Sequence, residues 1–241
     1  MTYLVSDGKV FIADKFCSKQ FPTIHGRKTQ DEKGNRKDDK QASKIYYNDT
    51  SKIELISAGK YEGVDLKLVA VAGATGHLHR ALSYLERGND ILDAMNLEAC
   101  LPVDDRIFFR KDCSFMFVDV KNEVMLCAAD PDNSSVGVYS RSKGGFLHKG
   151  CGTTPVNAFC RFIKRQITPL EAFVLASQLH NNVSEEFDYY DLESDTLVHD
   201  QKLTTRQRTK ILDQLQSELV IDRDIQTVKY VNEIYRVIKE E

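Results

Sequence analysis

The second residue of the chain is a threonine, and this position can give it a chemistry that an internal threonine lacks. The sequence opens MTYLVSDGKVFIAD. Removal of Met1 would leave Thr2 with a hydroxyl group and a free α-amine on the same residue. The amine can then take the proton while the hydroxyl attacks an acyl carbon, which is how a terminal threonine is activated as a nucleophile. Thr2 is therefore the first candidate catalytic residue.

The cysteines of the chain do not form a second reactive motif. There are six of them, at Cys17, Cys100, Cys113, Cys127, Cys151 and Cys160. No two are spaced as in a C-x-x-C motif, and none is spaced with histidines as in a zinc site, so we expect reduced thiols and no metal. A Cys–His nucleophile built from Cys151 and His148 is disfavoured because residues three apart on a strand point to opposite faces.

Charge and hydropathy argue against two classes of partner. The chain has 241 residues, a net charge of -3 and 41% hydrophobic residues, enough for one large domain or for one domain and an appendage. A small negative charge does not favour nucleic acid, and the polar stretch at residues 26–43 reads as a solvated loop. No apolar run approaches membrane-spanning length, and the start does not resemble a signal peptide. We expect a cytoplasmic protein that binds neither nucleic acid nor membrane.

The pattern of apolar residues predicts strands that alternate with pairs of helices. The predicted strands are a hairpin over residues 3–13 and the stretches KIELIS, LKLVAVAG, CSFMFVDV, EVMLCAAD, VGVYS, GGFLHKG and FDYYDL, the last strand. The predicted helices cover residues 77–87, 90–99, 154–163 and 168–181, and Thr168 with Glu171 forms a capping-box pattern. Because this order is not a regular βαβ alternation, it favours antiparallel sheets over one parallel sheet.

The character of the sequence changes after Glu193. Charged residues dominate from there on, and apolar residues recur at helical spacing within residues 211–219 and again within residues 228–238. We therefore predict one domain over residues 1–192 and a helical C-terminal extension over residues 193–241.

The stretch LVAVAGATGHLHRAL permits a dinucleotide-binding interpretation. A strand, a glycine turn and a helix can bring backbone N–H groups close to a pyrophosphate at the helix N-terminus. However, His79 stands where the third glycine of that motif belongs, and no second strand ending in an acidic residue follows. This interpretation is the weakest of the alternatives. It is also the main reason to expect a cofactor, so we expect none.

Several stretches of the chain resemble, in the right order, the proteasome β-type N-terminal nucleophile hydrolases, and the bacterial HslV peptidase especially. The matching stretches are MTYLVSDGKVFIAD, TSKIELIS, LVAVAGATGHLHRALSYL, FLHKGCGTTPVNAF and ITPLEAFVLASQL, which together span about residues 2–192. The resemblance implies an α+β fold, a four-layer αββα sandwich in which two antiparallel sheets lie between helical layers. It also implies a peptide or protein substrate and a homo-oligomer, and it leaves open whether an ATPase partner is needed.

The resemblance also implies a role for each site residue. Thr2 would be the nucleophile once Met1 is removed, with its own α-amine as the general base. Lys52 would lower the pKa of the Thr2 hydroxyl, and Asp14 would hold that lysine in place. The amide of Gly73 would face the oxyanion of the reaction. Cys151 occupies the position at which the family has a serine.

The chain departs from the family pattern in ways that leave alternatives open. Lys44 is a second candidate for the catalytic lysine. The aspartate that the family places after its later helix has no clear match, and Glu185, Glu186 and Asp188 are all candidates to replace it. Cys151 would form a weaker hydrogen bond than serine. We therefore expect a threonine peptidase or amidase, or alternatively a catalytically silent subunit of the same fold that serves as an assembly or binding module.

Overall fold

The computed structural model describes residues 2–20, 44–48, 51–73, 75–98, 100–102, 105–109, 113–129, 136–142 and 146–219. Its strands are β1 (Tyr3–Ser6), β2 (Val10–Asp14), β3 (Phe16–Gln20), β4 (Lys44–Asn48), β5 (Ile53–Leu55), β6 (Lys60–Tyr61), β7 (Val64–Ala72), β8 (Ser114–Asp119), β9 (Val124–Ala129), β10 (Val136–Ser142), β11 (Leu147–Gly150), β12 (Glu186–Asp191) and β13 (Thr196–Lys202). Its helices are α1 (Thr75–Leu85), α2 (Ile91–Glu98), α3 (Thr153–Cys160), α4 (Pro169–Leu179) and α5 (Thr205–Ser217).

Most strands belong to two antiparallel sheets. The five-stranded sheet has the order β11-β1-β2-β12-β13, and the six-stranded sheet has the order β10-β9-β8-β7-β5, with β6 added beside β7. Strands β3 and β4 form a separate two-stranded ribbon. Every ladder between two of these strands is antiparallel. The predicted α+β class with antiparallel sheets is therefore confirmed.

The buried apolar side chains form three clusters. One cluster joins the six-stranded sheet to α1 and α2, and it contains Leu78 and Phe117. A second joins the five-stranded sheet to α3, α4 and α5, and contains Tyr3 and Leu215. The third draws on both sheets and contains Leu4 of β1 together with strand residues of β7 and β8. Each sheet therefore has apolar side chains on both of its faces.

Two predicted local signals are visible in the backbone. In the turn between β1 and β2, the Asp7 carboxylate accepts the amide of Val10 at 2.9 Å, and Gly8 adopts a φ of 81°. At the start of α4, the Thr168 hydroxyl accepts the amide of Glu171, and the Glu171 carboxylate accepts the amide of Thr168. This is the predicted capping box, which satisfies two N–H groups that the helix itself leaves unpaired.

The prediction that FDYYDL is the last strand is wrong. Strand β13 follows it and pairs antiparallel with β12, so the predicted boundary at Glu193 falls beside the turn of a hairpin, and the chain becomes helical only at Thr205. Most β13 side chains are exposed on both faces, so the strand lacks the alternation that would predict it. The polar stretch at residues 26–43 and the apolar stripe within residues 228–238 lie outside the described residues.

The topology around the glycine turn does not fit the dinucleotide-binding interpretation. Strand β7 leads into α1 as that motif requires, but β7 pairs antiparallel with both β5 and β8. Dinucleotide sites are built on parallel βαβ units, in which the strand after the helix runs parallel to the first. The next long strand after α1 and α2 is β8, and it runs in the opposite direction.

Candidate active site

Thr2 lies directly before β1, and its side chain is buried. The residue is 2% exposed. Its carbonyl oxygen accepts the amide of Cys151 at 3.0 Å, and the Cys151 thiol lies 3.6 Å from the same oxygen. Its hydroxyl oxygen Oγ1 is buried and has no hydrogen-bond partner among the described residues. The backbone of Thr2 is therefore fixed by hydrogen bonds, whereas its hydroxyl has none to the described residues.

Asp14, the last residue of β2, is the polar centre of the site. Its Oδ1 oxygen accepts the amide of Tyr3 at 2.9 Å and the Nζ group of Lys52 at 3.0 Å. Its Oδ2 oxygen accepts the amides of Phe16 at 3.2 Å and Ser184 at 3.3 Å. These contacts come from several parts of the chain, so the carboxylate is fixed in one orientation. Thr2 and Asp14 are linked through the peptide unit that joins Thr2 to Tyr3.

Lys52 reaches Asp14 from the other sheet. It directly precedes β5, and its carbonyl oxygen accepts the amide of Val71 in β7 at 3.1 Å. Its side chain is 1% exposed, and its Nζ also donates to the carbonyl oxygen of Phe16. A long side chain from the six-stranded sheet therefore ends beside Asp14 of the five-stranded sheet. The ion pair ties the two sheets together next to Thr2.

Burial dominates the protonation equilibria of the site. It raises the pKa of Asp14, while the charge of Lys52 and the hydrogen bonds from Tyr3 and Ser184 act in the opposite direction. Burial also raises the pKa of the Cys151 thiol, and the nearby charge of Asp14 adds to this effect. Cys151 is therefore a neutral thiol, which suits a weak hydrogen-bond donor and does not suit a nucleophile, because thiolates are the reactive form.

The turn after β11 lies very close to Thr2. Gly150 has a φ of 125°, and a Cβ atom added to it would lie 1.7 Å from the carbonyl oxygen of Thr2. A Cβ atom on Gly152 would lie 2.6 Å from Ala176 and 2.9 Å from the ring of Tyr3. Only glycine fits at these two positions, which explains why the predicted turn around Cys151 has a glycine on each side.

The structure does not bring every predicted residue onto Thr2. Gly73 follows β7 with a φ of 149°, at the strand end where Val71 meets Lys52. Within the described part of the chain, no hydrogen bond joins Gly73 to Thr2. Lys44, the alternative lysine, opens β4, and its side chain lies outside what the structure describes.

The candidates for the missing family aspartate form their ion pairs elsewhere. Glu185 pairs with Arg208, and Glu186 pairs with Lys202 at 3.6 Å. Asp188 is fully buried in β12, and its Oδ1 lies 3.2 Å from the imidazole of His199 and 3.9 Å from Lys15. The group that does reach Asp14 from this region is the amide of Ser184. It is a backbone donor, so no side-chain motif could have revealed it.

Sequence reasoning also missed the partners of Tyr3. The Tyr3 hydroxyl and Nδ1 of His148 are 2.8 Å apart, although the two residues are 145 positions apart in the chain. His148 therefore contacts the residue after Thr2, whereas the Cys151 thiol contacts Thr2 and the carbonyl oxygen of Asn182. The alternation of β1 predicts an inward Tyr3, but nothing in the sequence identifies its partner.

Comparison with solved structures gives the fold. Anbu (ancestral beta-subunit) from Yersinia bercovieri superposes with a TM-score of 0.50 at 13% identity, over 92% of this chain and 99% of that chain. The chain has a proteasome-like fold. A Gly-1 mutant of Anbu from Hyphomicrobium sp. strain MC1 (TM-score 0.49, 12% identity, 90% of this chain and 95% of that chain) and the helical assembly of the Anbu complex from Pseudomonas aeruginosa (TM-score 0.47, 16% identity, 92% and 99%) are also similar.

The Yersinia bercovieri structure corrects the family suggested by the motif order. The resemblance to the HslV peptidase is wrong, because this structure is an Anbu protein, and Anbu proteins have a proteasome-like fold but form a different family. No protein-family model matches the chain, and no curated protein matches it either. What the comparison supports is a relation in fold to proteasome subunits.

Two further properties bear on the candidate ligands. Among the described residues, no three His, Cys, Asp or Glu side chains are grouped so that they could hold a metal ion. None of the described helices combines the length and the apolar character that crossing a membrane requires.

Proposed function

We propose that the protein is a peptidase or amidase that uses Thr2 as its nucleophile once the bond between Met1 and Thr2 has been cleaved. The observation that carries this proposal is the double contact of one carboxylate oxygen. Oδ1 of Asp14 accepts both the Lys52 ammonium and the amide of Tyr3, the residue bonded to Thr2. A buried positive charge is thereby linked, through Asp14 and the Tyr3 amide, to a residue whose buried hydroxyl has no partner among the described residues.

In the proposed reaction, Oγ1 of Thr2 attacks the carbonyl carbon of the substrate amide. The α-amine of Thr2 takes the hydroxyl proton and passes it to the leaving nitrogen as the carbon–nitrogen bond breaks. Water then hydrolyses the ester that links the acyl group to Thr2. The charge of Lys52 lowers the pKa of the hydroxyl, and Asp14 fixes the position of that charge. We assign the amide of Gly73 to the oxyanion on the basis of its place at the end of β7.

We also propose the four-layer αββα arrangement for this fold. The three apolar clusters support it, because one is shared by both sheets and each of the others joins one sheet to helices.

The segment after Glu193 is proposed as an extension of this domain, since α5 packs on the second cluster through Leu215. A homo-oligomer is proposed as well, supported by two exposed leucines, Leu97 near the end of α2 and Leu101 shortly after it.

Turnover of a panel of fluorogenic peptide amides tests the catalytic proposal. The proteins to compare are the wild type, Thr2→Ala and Thr2→Ser, each checked for the absence of Met1 by intact mass. We expect activity in the wild type, reduced activity in Thr2→Ser and none in Thr2→Ala. Activity that survives in Thr2→Ala would rule out Thr2 as the nucleophile.

A catalytically silent subunit is the second candidate, and one observation favours it. Thr2 is only 2% exposed in the chain that carries Met1, so a substrate carbonyl has little access to its hydroxyl while Met1 is retained. A protein that retains Met1 and cleaves none of the peptide amides would support this second candidate. Intact mass and peptide turnover of the same protein samples therefore distinguish the two candidate functions.

A further inference from the structure

His148 connects two elements that flank the candidate nucleophile. It lies on β11, the edge strand beside β1, with Val5 as its register partner. Its Nε2 atom is 2.9 Å from Oδ1 of Asn157 on α3, and its Nδ1 atom is 2.8 Å from the Tyr3 hydroxyl. The rings of Tyr3 and His148 meet edge to face, with centroids 5.8 Å apart. The imidazole therefore bridges β1 and α3.

The partners of the imidazole determine where its proton lies. Oδ1 of Asn157 is an acceptor only, so Nε2 of His148 must donate to it. In the neutral ring Nδ1 is then an acceptor, and the Tyr3 hydroxyl donates to it. Burial raises the pKa of Tyr3 well above its usual value, so the phenol keeps the proton that it donates. The observed pair of contacts belongs to neutral His148.

Protonation of His148 is incompatible with this arrangement. A proton on Nδ1 would face the Tyr3 hydroxyl, which could then only accept. Among the described residues, no oxygen or nitrogen atom other than Nδ1 of His148 accepts from that hydroxyl, so its own proton would lose its partner in a fully buried environment. Leaving a buried donor unpaired is costly. Burial lowers the pKa of His148, while the hydrogen bond to Asn157 acts in the opposite direction.

Among the described residues, three side chains face the imidazole. The Tyr3 phenol approaches from β1, the Asn157 amide approaches from α3, and the ring of Phe146 packs at a centroid distance of 5.2 Å from the segment before β11. The thiols of Cys151 and Cys160 flank Tyr3 and are neutral, because burial raises the pKa of each. None of these groups is a carboxylate that would stabilise an imidazolium ion.

We propose that His148 is a positioning residue for Thr2, which holds the Thr2–Tyr3 peptide in place only while its imidazole is neutral. The chain of contacts is short. The Tyr3 side chain is held by His148, the Tyr3 amide is held by Asp14, and the Thr2 carbonyl is held by Cys151. Loss of the Tyr3 contact in acid loosens the start of β1, and with it the position of the Thr2 hydroxyl. This inference rests on the proposed function of Thr2.

The sign of the effect on stability follows from the direction of the shift. A histidine whose folded-state pKa is lowered stabilises the fold fully above its unfolded pKa of about 6.5, and the contribution is lost as pH falls through the folded pKa. Acid should therefore weaken the hydrogen bond between His148 and Tyr3, and with it the positioning of Thr2. At neutral pH the network is intact.

The test follows the Thr2 methyl group by NMR from about pH 5 to about pH 8, in protein labelled with carbon-13 threonine methyls. Three variants are compared with the wild type. His148→Gln offers a neutral acceptor at every pH, Asn157→Asp places a carboxylate beside Nε2 and so raises the pKa of His148, and His79→Gln removes an exposed histidine on α1 as the control.

The α-amine of Thr2, which titrates at about pH 7.7 to 8.0 when free, also moves this methyl shift, so the wild type should show a second step at the midpoint of the His148 ring protons. The second step should move to higher pH in Asn157→Asp, it should be absent in His148→Gln, and His79→Gln should match the wild type. In turnover assays kcat should fall with pH more steeply in the wild type than in His148→Gln, by up to about a further tenfold per pH unit below the His148 midpoint, with KM nearly unchanged. If His148→Gln does not fold, Asn157→Asp carries the comparison.

Two results separate the failure of this inference from the failure of the proposed function. A Thr2 methyl titration that has no step at the His148 midpoint in the wild type, or that keeps this step in His148→Gln, overturns the positioning role. Absence of turnover at every pH in wild-type protein that lacks Met1 overturns the proposed function. The methyl titration alone then shows whether protonation of His148 changes the environment of Thr2.

Discussion

The carboxylate of Asp14 and the ammonium of Lys52 lie 3.0 Å apart, and neither side chain is more than 1% exposed. The two residues come from different sheets. Burying two charges is costly, and their attraction compensates only when the geometry is good and the remaining donors and acceptors are paired. Here the backbone amides of Tyr3, Phe16 and Ser184 pair with the carboxylate. These hydrogen bonds offset the cost of burying the ion pair near Thr2.

Removing one member of this pair should destabilise the protein strongly. Lys52→Met leaves the Asp14 carboxylate buried without its cation, so we expect a loss of about 3 to 5 kcal/mol in the free energy of unfolding. Urea denaturation measures this loss. The double variant Lys52→Met with Asp14→Asn should lose less than the sum of the two single variants, because no charge is left buried. Strict additivity would show that the pair is not energetically coupled.

The turn beside Thr2 should tolerate no side chain at its first glycine. Gly150→Ala would place a Cβ atom 1.7 Å from the Thr2 carbonyl oxygen, so the backbone must move. Gly63 is a matched control, since its φ is also positive, at 76°, but nothing lies within 4 Å of an added Cβ atom. We expect Gly63→Ala to cost about 1 to 2 kcal/mol and Gly150→Ala to cost clearly more, as measured by urea denaturation. Equal losses would mean that the close approach to Thr2 is unimportant.

The packing of α5 can be tested through one leucine. Leu215 is fully buried in the second apolar cluster, so Leu215→Ala should lower the free energy of unfolding by about 2 to 5 kcal/mol. Val120→Ala is the control, because Val120 is 56% exposed and should change stability by about 0.5 kcal/mol or less. Thermal or urea denaturation of the two variants gives the comparison. A negligible loss in Leu215→Ala would indicate that α5 adds little to the domain.

The elements with local signals were predictable from the sequence, and those that depend on distant pairing were not. The Asp7–Gly8 turn and the Thr168 capping box are set by residues within a few positions of each other. Strand β13 has mostly exposed side chains, so it forms because β12 offers it a partner and not because its own pattern demands it. The ribbon of β3 and β4 was likewise missed, since its strands are separated by a long polar stretch.

The site shows the same division. That Thr2 is a candidate nucleophile follows from its type and place, whereas the roles of Asp14 and Lys52 came only from resemblance. Their contact spans 38 positions and depends on how the two sheets meet, which no local pattern specifies. The sequence suggests only Cys151 as a partner for His148, but the register of β11 against β1 directs the imidazole to Tyr3 instead. A partner 145 positions away is set by the whole fold.

Covalent labelling of the N-terminal residue tests the central claim most directly. A β-lactone acylates an activated hydroxyl by ring opening, so it should leave a stable ester on Oγ1 of Thr2. We predict that mass spectrometry of the labelled and digested protein will find an N-terminal peptide that begins at Thr2 and carries one acyl group on that residue, and that Lys52→Met will remain unlabelled. A protein that starts at Thr2 and stays unlabelled, or that is labelled at Cys151 instead, would contradict the account.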